Sequence, residues 1–179
     1  MSVRRKHIRA LVNQLLTRHG IMDAAVPVED IAKSSGIEVR HDSIEDADVS
    51  GFLFRDKEHQ RVIIGVNSTQ IEERKRFTIA HELGHFLLHE GQPLHVDHNF
   101  RVNLRSGKSS EGTDIEEKEA NFFAAELLMP KSFLEKDLSD IDAVDLFVDL
   151  DALQELAKKY KISPQALTYR LTNLGYMVL

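Results

Sequence analysis

The chain contains no cysteine, which excludes disulfide frameworks, thiolate metal sites and cysteine nucleophiles. Any metal it holds must be bound by histidine and carboxylate. It has no basic surplus either: 23 Lys and Arg stand against 29 Asp and Glu, a formal net charge of -6, which argues against a protein whose main task is wrapping nucleic acid. A local basic patch is still compatible with that balance. No apolar run approaches the roughly 20 residues needed to span a bilayer. The opening segment MSVRRKHIRALVNQLLTRHG is basic, but Asn13 and Gln14 interrupt its apolar run and no small-residue cleavage site follows, so it reads as a helix and not as a leader. Internal repeats and low-complexity tracts are absent. Together with 42% hydrophobic content, these absences predict a soluble, cytoplasmic protein of about one ordinary core.

The hydrophobic pattern then gives the order of elements. Ile8, Leu11, Val12, Leu15 and Leu16 recur at helical spacing and predict a helix over residues 3–19 that ends near Gly20. VPVEDIAKSSGIEVR reads as a short helix stopped at Gly36, with a strand from Ile37. VSGFLFR and RVIIGV flank the polar DKEHQ, a hairpin signal, so a small mixed or antiparallel sheet is expected. Thr69–Glu72 and Thr113–Glu116 have capping-box spacing and predict two helix starts, the second helix running to Met129 before Pro130. Between them, His89 to Gly112 is polar and without period, a long loop suited to a lid or binding role. Further helices are expected near Leu150–Tyr160 and Pro164–Leu174. The domain reading is a main unit over residues 1–135 with a helical segment, 136–179, packed on it.

Chemistry concentrates in RFTIAHELGHFLLH, residues 76–89. His81 and His85 are four apart, so on a helix they share one face and can converge on one ion. Glu82 points roughly 100° around the helix and can reach a water beside that ion without ligating it. This is the two-ligands-plus-base pattern of zinc hydrolases, although buried histidines are also often hydrogen-bonded core residues. Gly84 between the ligands costs about 1 kcal/mol of helix stability relative to alanine, which makes sense if something packs close to the backbone there.

A catalytic zinc needs a third protein ligand. His89 lies about 12 Å from His81 along an unbroken helix, too far to share the ion. His95 and His98 can approach it but have no rigid element to hold them. TDIEEKEANFFAAELLMP offers glutamates on a helix with an apolar stripe at Ala120, Phe123, Ala124, Leu127 and Leu128. Glu119 aligns with Phe122 and Glu126 toward the outer side, whereas Glu117 aligns with Ala120, Asn121, Ala124 and Leu128 on the inward face and is the preferred ligand. Asn121 reads either as a hydrogen-bond partner of a histidine ligand or as a helix-packing residue.

With those residues in view, RFTIAHELGHFLLH followed by a loop and EKEANFFAAELLMP closely resembles the ImmA/IrrE family of bacterial zinc metallopeptidases. VPVEDIAKSSGIEV and KISPQALTYRLTNLGYM resemble its amino-terminal and carboxy-terminal segments, so the likeness covers most of the chain. The resemblance implies an α+β, zincin-like metallopeptidase fold with an active-site helix and a ligand helix. It implies Zn2+ held by His81, His85 and Glu117, with Glu82 as catalytic base. It further implies a protein substrate, typically a helix-turn-helix transcriptional repressor encoded nearby, whose cleavage derepresses genes.

Other readings stand beside this one. RVIIGV can offer its edge to an extended peptide, or be only a buried strand. The oxyanion can be met by His95, His98, Arg101 or Tyr169. LQELAKKYKISPQALTYRLTNLGY is compatible with a helix-turn-helix, with Ser163 as N-cap and Pro164 at the first helical position, which supports a DNA-binding or protein-binding regulator with a structural zinc. Against DNA, Lys161 occupies a turn position that often carries glycine, and few side chains of the second helix suit base reading. The basic run from Arg4 to His7 reads as a solvated helix start.

Overall fold

The computed structural model describes residues 2–46, 48–98, 111–139 and 150–177. The elements run α1 (Arg5–Arg18), α2 (Val28–Ser34), β1 (Ile37–Asp42), β2 (Val49–Asp56), β3 (Arg61–Asn67), α3 (Glu72–Leu88), β4 (Leu94–His98), α4 (Glu111–Leu128), α5 (Lys131–Leu138), α6 (Leu150–Tyr160) and α7 (Pro164–Leu174). The architecture is α+β: a four-stranded mixed sheet and seven helices among the described residues. None of these helices is long and apolar enough to cross a membrane.

Strand order is β1-β3-β2-β4, with β1 parallel to β3 and β2 antiparallel to both β3 and β4. The hairpin forms as its sequence predicts, Phe54 opposite Ile63 and Leu53 opposite Ile64. The strand RVIIGV is therefore internal, bonded on both sides, and has no edge to lend; among the described residues the sheet edge beyond β2 belongs to β4. Residues 94–98 look irregular in sequence because an edge strand with one covered face needs no long apolar run, and only Val96 and Leu94 are aliphatic. Residues 99–110 of the expected loop, Arg101 included, lie outside the described residues.

The core is one cluster that joins α1 (Ile8, Val12), α2 (Ile31), the sheet (Leu53, Ile64), α3 (Leu83), α4 (Phe123, Leu127) and the carboxy-terminal pair (Tyr160, Leu167). The expected capping boxes do not form. α3 starts after Ile71, which makes no side-chain cap bond, and Thr69 Oγ1 turns back to Asn67 Oδ1 at 2.8 Å. α4 already runs from Glu111, so Thr113 falls inside it. α5, unforeseen in sequence, begins directly after Pro130, its N-cap residue. In α7 the Ser163 hydroxyl does cap the helix, accepting from the Ala166 N–H at 3.2 Å.

What positions the site is the crossing of α3 with α4. A Cβ added at Gly84 would come to 3.0 Å from Phe123 Cδ1 and 3.2 Å from the Ala120 Cα, so the backbones approach as closely as they do only because both positions are small. On its other side α3 lies against the sheet, where a Cβ at Gly51 of β2 would meet Thr78 Cγ2 at 2.5 Å. α3 is thus seated close against both α4, where backbone meets backbone, and β2, where the Thr78 methyl fills the gap over Gly51. Gly84→Ala pits about 1 kcal/mol of gained helix propensity against roughly 1–3 kcal/mol of overpacking. We expect net destabilisation, visible as a lower chemical-denaturation midpoint; a stabilised variant would mean that the crossing can relax.

Candidate metal centre

His81, Glu82 and His85 project from the buried middle of α3. Glu117 comes from α4 and His95 from β4, where it pairs with Leu53 of β2. The ligand atoms of His81, His85, His95 and Glu117 all lie within 4.8 Å of one another. His81 Nε2 and His85 Nε2 are 3.1 Å apart, His81 Nε2 is 3.4 Å from Glu117 Oε2, and His85 Nε2 is 3.2 Å from Glu117 Oε1. A tetrahedral ion bound at about 2.0–2.1 Å would separate its donors by about 3.3 Å. The triangle of two imidazoles and one carboxylate has that size, so these residues fit a divalent ion.

His95 completes the group in a different way. Its Nε2 is 2.8 Å from Glu117 Oε1 and its Nδ1 is 3.1 Å from Glu82 Oε2, so both ring nitrogens are engaged by carboxylates. Glu82 itself is 0% exposed, and its second oxygen, Oε1, has no hydrogen-bond partner among the described residues. A buried carboxylate oxygen left without a donor costs about 1–3 kcal/mol, a penalty that a bound water would remove.

The protonation states follow from burial set against these contacts. Burial pushes the Glu117 carboxyl up, but hydrogen bonds from His81, His85 and His95 outweigh it and hold the group far below the usual carboxylate range. Burial pushes His85 down, and despite Glu117 it stays at about 4, with His81 and His95 repelling a further charge; it is a neutral imidazole with a lone pair to offer. In His95 burial is overcome by Glu117 and Glu82, which raise it to about 10. In His81 burial is likewise outweighed, by Glu117, Glu82 and Asp97, and the group is raised, so both rings favour a proton until an ion displaces it. Burial lifts Glu82 above the ordinary carboxyl value, and His95 opposes that rise.

Behind the cluster, His81 Nδ1 donates to Asn121 Oδ1 at 3.0 Å, which fixes the tautomer that leaves Nε2 free. Arg55 of β2 bonds the carbonyls of His85 (2.9 Å), His89 (3.2 Å) and Gln92 (3.0 Å), tying the end of α3 to the sheet.

The structure thus brings together His81, His85, Glu117, Glu82 and Asn121. It corrects the placement of Glu119: instead of facing outward, this residue is 2% exposed, because α1 lies over that side of α4 and Arg4 reaches in to bond it. Arg4, itself half exposed, is accordingly more than part of a solvated helix start, and Lys6 and His7 beside it are exposed. His95, set aside in the sequence for want of a rigid support, is held by β4. Its signal was alternation in LHVDH, too short to stand out. Of the other oxyanion candidates, Tyr169 is 55% exposed on α7, and the backbone of His98 ends β4.

Comparison with known proteins adds the following. The family described as IrrE N-terminal-like domain, Peptidase M78, matches residues 32–172. Over 118 residues the chain is 33% identical to the radiation response metalloprotease IrrE of Deinococcus radiodurans, covering 66% of this chain and 32% of that protein. Its fold is similar to that of a Mycobacterium tuberculosis transcriptional regulator, with a TM-score of 0.61 at 14% identity over 93% of this chain and 46% of the other. The chain spans about a third of the first relative and just under half of the second.

A site of this kind should be visible without any substrate. Divalent ion added in large excess over its dissociation constant is expected to stabilise the fold by roughly 3–4 kcal/mol, reversed by a chelator. Asn121→Ala should weaken ion binding by about 10- to 100-fold in a competition titration. Unchanged affinity would reassign Asn121 to helix packing.

Proposed function

Because the chain belongs to the Peptidase M78 family of IrrE N-terminal-like domains, we propose that it is a zinc-dependent endopeptidase with a zincin-like active site, hydrolysing a peptide bond in a protein substrate. The observation that carries this reading is the convergence of two helix-borne imidazoles and Glu117 at tetrahedral spacing, with the buried carboxylate of Glu82 beside them. His81 and His85 would hold the ion through Nε2, and Glu117 through its carboxylate. When bound, zinc supplies acidity to a water near neutral pH and polarisation to the scissile carbonyl.

The remaining work falls to the chain's own groups. Glu82 takes the proton of the attacking water and passes it to the leaving amine. Its Oε1, unbonded among the described residues, is the accepting atom, since Oε2 is already engaged by His95. His95 orients Glu82 and places positive charge beside the developing oxyanion, a role supported by its two carboxylate contacts in the cluster. β4, the outer strand among the described residues, carries His95, so an extended peptide added to its edge would pass beside the reacting groups.

For the substrate we propose a helix-turn-helix repressor whose cleavage derepresses genes in the cytoplasm, in line with the family resemblance of the two central motifs. A second reading, a DNA-binding or protein-binding regulator with a structural zinc, draws on the carboxy-terminal pair. Lys161 adopts φ +52°, so it fills the left-handed turn position between α6 and α7. Against DNA, Arg170 of α7 is 4% exposed and bonded to Glu126 and the Met129 carbonyl, which removes it from any contact with phosphate.

The test is incubation of zinc-loaded protein with the repressor encoded beside it, followed by mass spectrometry. Glu82→Gln should retain zinc and lose cleavage by about 100-fold or more. His95→Ala should retain zinc and cleave about 100- to 1,000-fold more slowly. His81→Ala should lose metal and activity together. Full zinc occupancy without cleavage of any partner, combined with salt-sensitive DNA binding, would favour the regulator instead.

A further inference from the structure

One histidine of the central motif takes no part in the proposed hydrolysis, yet it is nearly as buried as the ion-facing pair. α3 ends at Leu88, and His89 follows in extended conformation, φ -131° and ψ 140°. Its ring therefore leaves the helical stack and turns to the back of His85, with Nδ1 facing Nδ1 at 3.3 Å. The other ring nitrogen, Nε2, is 3.2 Å from Glu119 Oε2, and the side chain is 4% exposed. Glu119 in turn accepts from the Arg4 backbone N–H at 2.8 Å and from Arg4 Nη2 at 2.5 Å. Backbone bonds hold His89 as well: its N–H donates to the His85 carbonyl at 3.3 Å, and its own carbonyl accepts from Arg55.

We infer that His89 is a positioning residue that fixes the tautomer of His85 through the chain His85–His89–Glu119–Arg4, and thereby sets metal affinity from outside the site. The inference rests on the metal-centre reading above. Its argument is one of hydrogen-bond polarity. An ionised carboxylate only accepts, so Glu119, held by the Arg4 guanidinium, requires a proton on His89 Nε2. A neutral His89 then presents a bare Nδ1, which can only accept. The 3.3 Å contact is a hydrogen bond only if His85 carries its proton on Nδ1, and that tautomer leaves the His85 Nε2 lone pair directed at His81 and Glu117. Asn121 does the same for His81 in a single step. For His85 the acceptor is itself a histidine, so its orientation has to be supplied by a third group, and the burial of Glu119 and its ion pair with Arg4 find their use here. A side chain that merely filled this space would need neither nitrogen to be matched.

The test uses the full chain as wild type and as His89→Phe, His89→Asn and His89→Gln, with zinc affinity measured by competition against a chromophoric chelator. Asparagine places an oxygen close to where Nδ1 stood, so it restores the acceptor for His85; glutamine places its amide near the Nε2 position and restores only the contact to Glu119. Phenylalanine and glutamine are expected to weaken zinc binding by about 10- to 100-fold, and asparagine to recover most of that loss. Phenylalanine binding within about twofold of wild type, or asparagine no better than glutamine, would overturn the inference. Long-range 1H–15N NMR of the zinc-loaded wild type needs no variant: protons on His85 Nδ1 and His89 Nε2 are expected, and a proton on His89 Nδ1 overturns the proposal. A wild type that binds no zinc at all would instead remove the metal centre, and this inference with it.

Discussion

The near contact of two helix backbones governs the rest of the molecule. Gly84 and Ala120 let α3 and α4 touch without a side chain between them. The groups that matter flank that point: His81 and Glu117 stand three residues before Gly84 and Ala120, and His85 and Asn121 follow them directly. Had either crossing residue been larger, the carboxylate of Glu117 would stand off by the width of a methyl group or more, and its 3.2 Å and 3.4 Å approaches to the imidazoles would open. A donor triangle of fixed size is a property of the helix spacing before it is a property of the ligands.

Packing so many ionisable groups in one place is expensive, and the structure offsets the cost with pairing. Each imidazole of the cluster faces a carboxylate or an amide oxygen, and Glu117 is shared by three of them. The same economy recurs behind the site, where Glu119 joins Arg4 to His89 and Glu126 joins Arg9 and Arg170. α4 is therefore covered on both sides. Three of its glutamates divide the work: Glu117 meets histidines, Glu126 meets arginines, and Glu119 meets one of each. Removing one partner of such a buried pair leaves a charge uncompensated, so these contacts specify which surfaces meet more than they add net stability.

Much of this could be read from the sequence, for identifiable reasons. Amphipathic periodicity located α1, α6 and α7, and the hairpin was announced by apolar runs around DKEHQ. The meeting of Glu117 with the two histidines was legible because a helix repeats every 3.6 residues and Ala120 and Ala124 mark the inward face. Glu119 was misplaced by the same logic: one apolar stripe was taken as the only covered face, while α1 covers another by ion pairs that leave no hydrophobic trace. β4 escaped because an edge strand of five residues carries too few alternations to exceed noise. The capping boxes failed since Ser, Thr and Glu at matching spacing recur wherever polar segments precede helices, and here the chain entered α3 through Ile71 instead.

Arg55 gives the arrangement a mechanical character. Its guanidinium reaches from the middle of the sheet to three successive carbonyls on the path out of α3, those of His85, His89 and Gln92, and its own N–H bonds the Pro93 carbonyl at 2.7 Å. The hinge that one would look for between a helix and the strand that follows it is thereby bolted shut. The end of α3 and the start of β4 are in this way clamped to one and the same residue of β2, and the carbonyl of a histidine that faces the ion is among the points gripped.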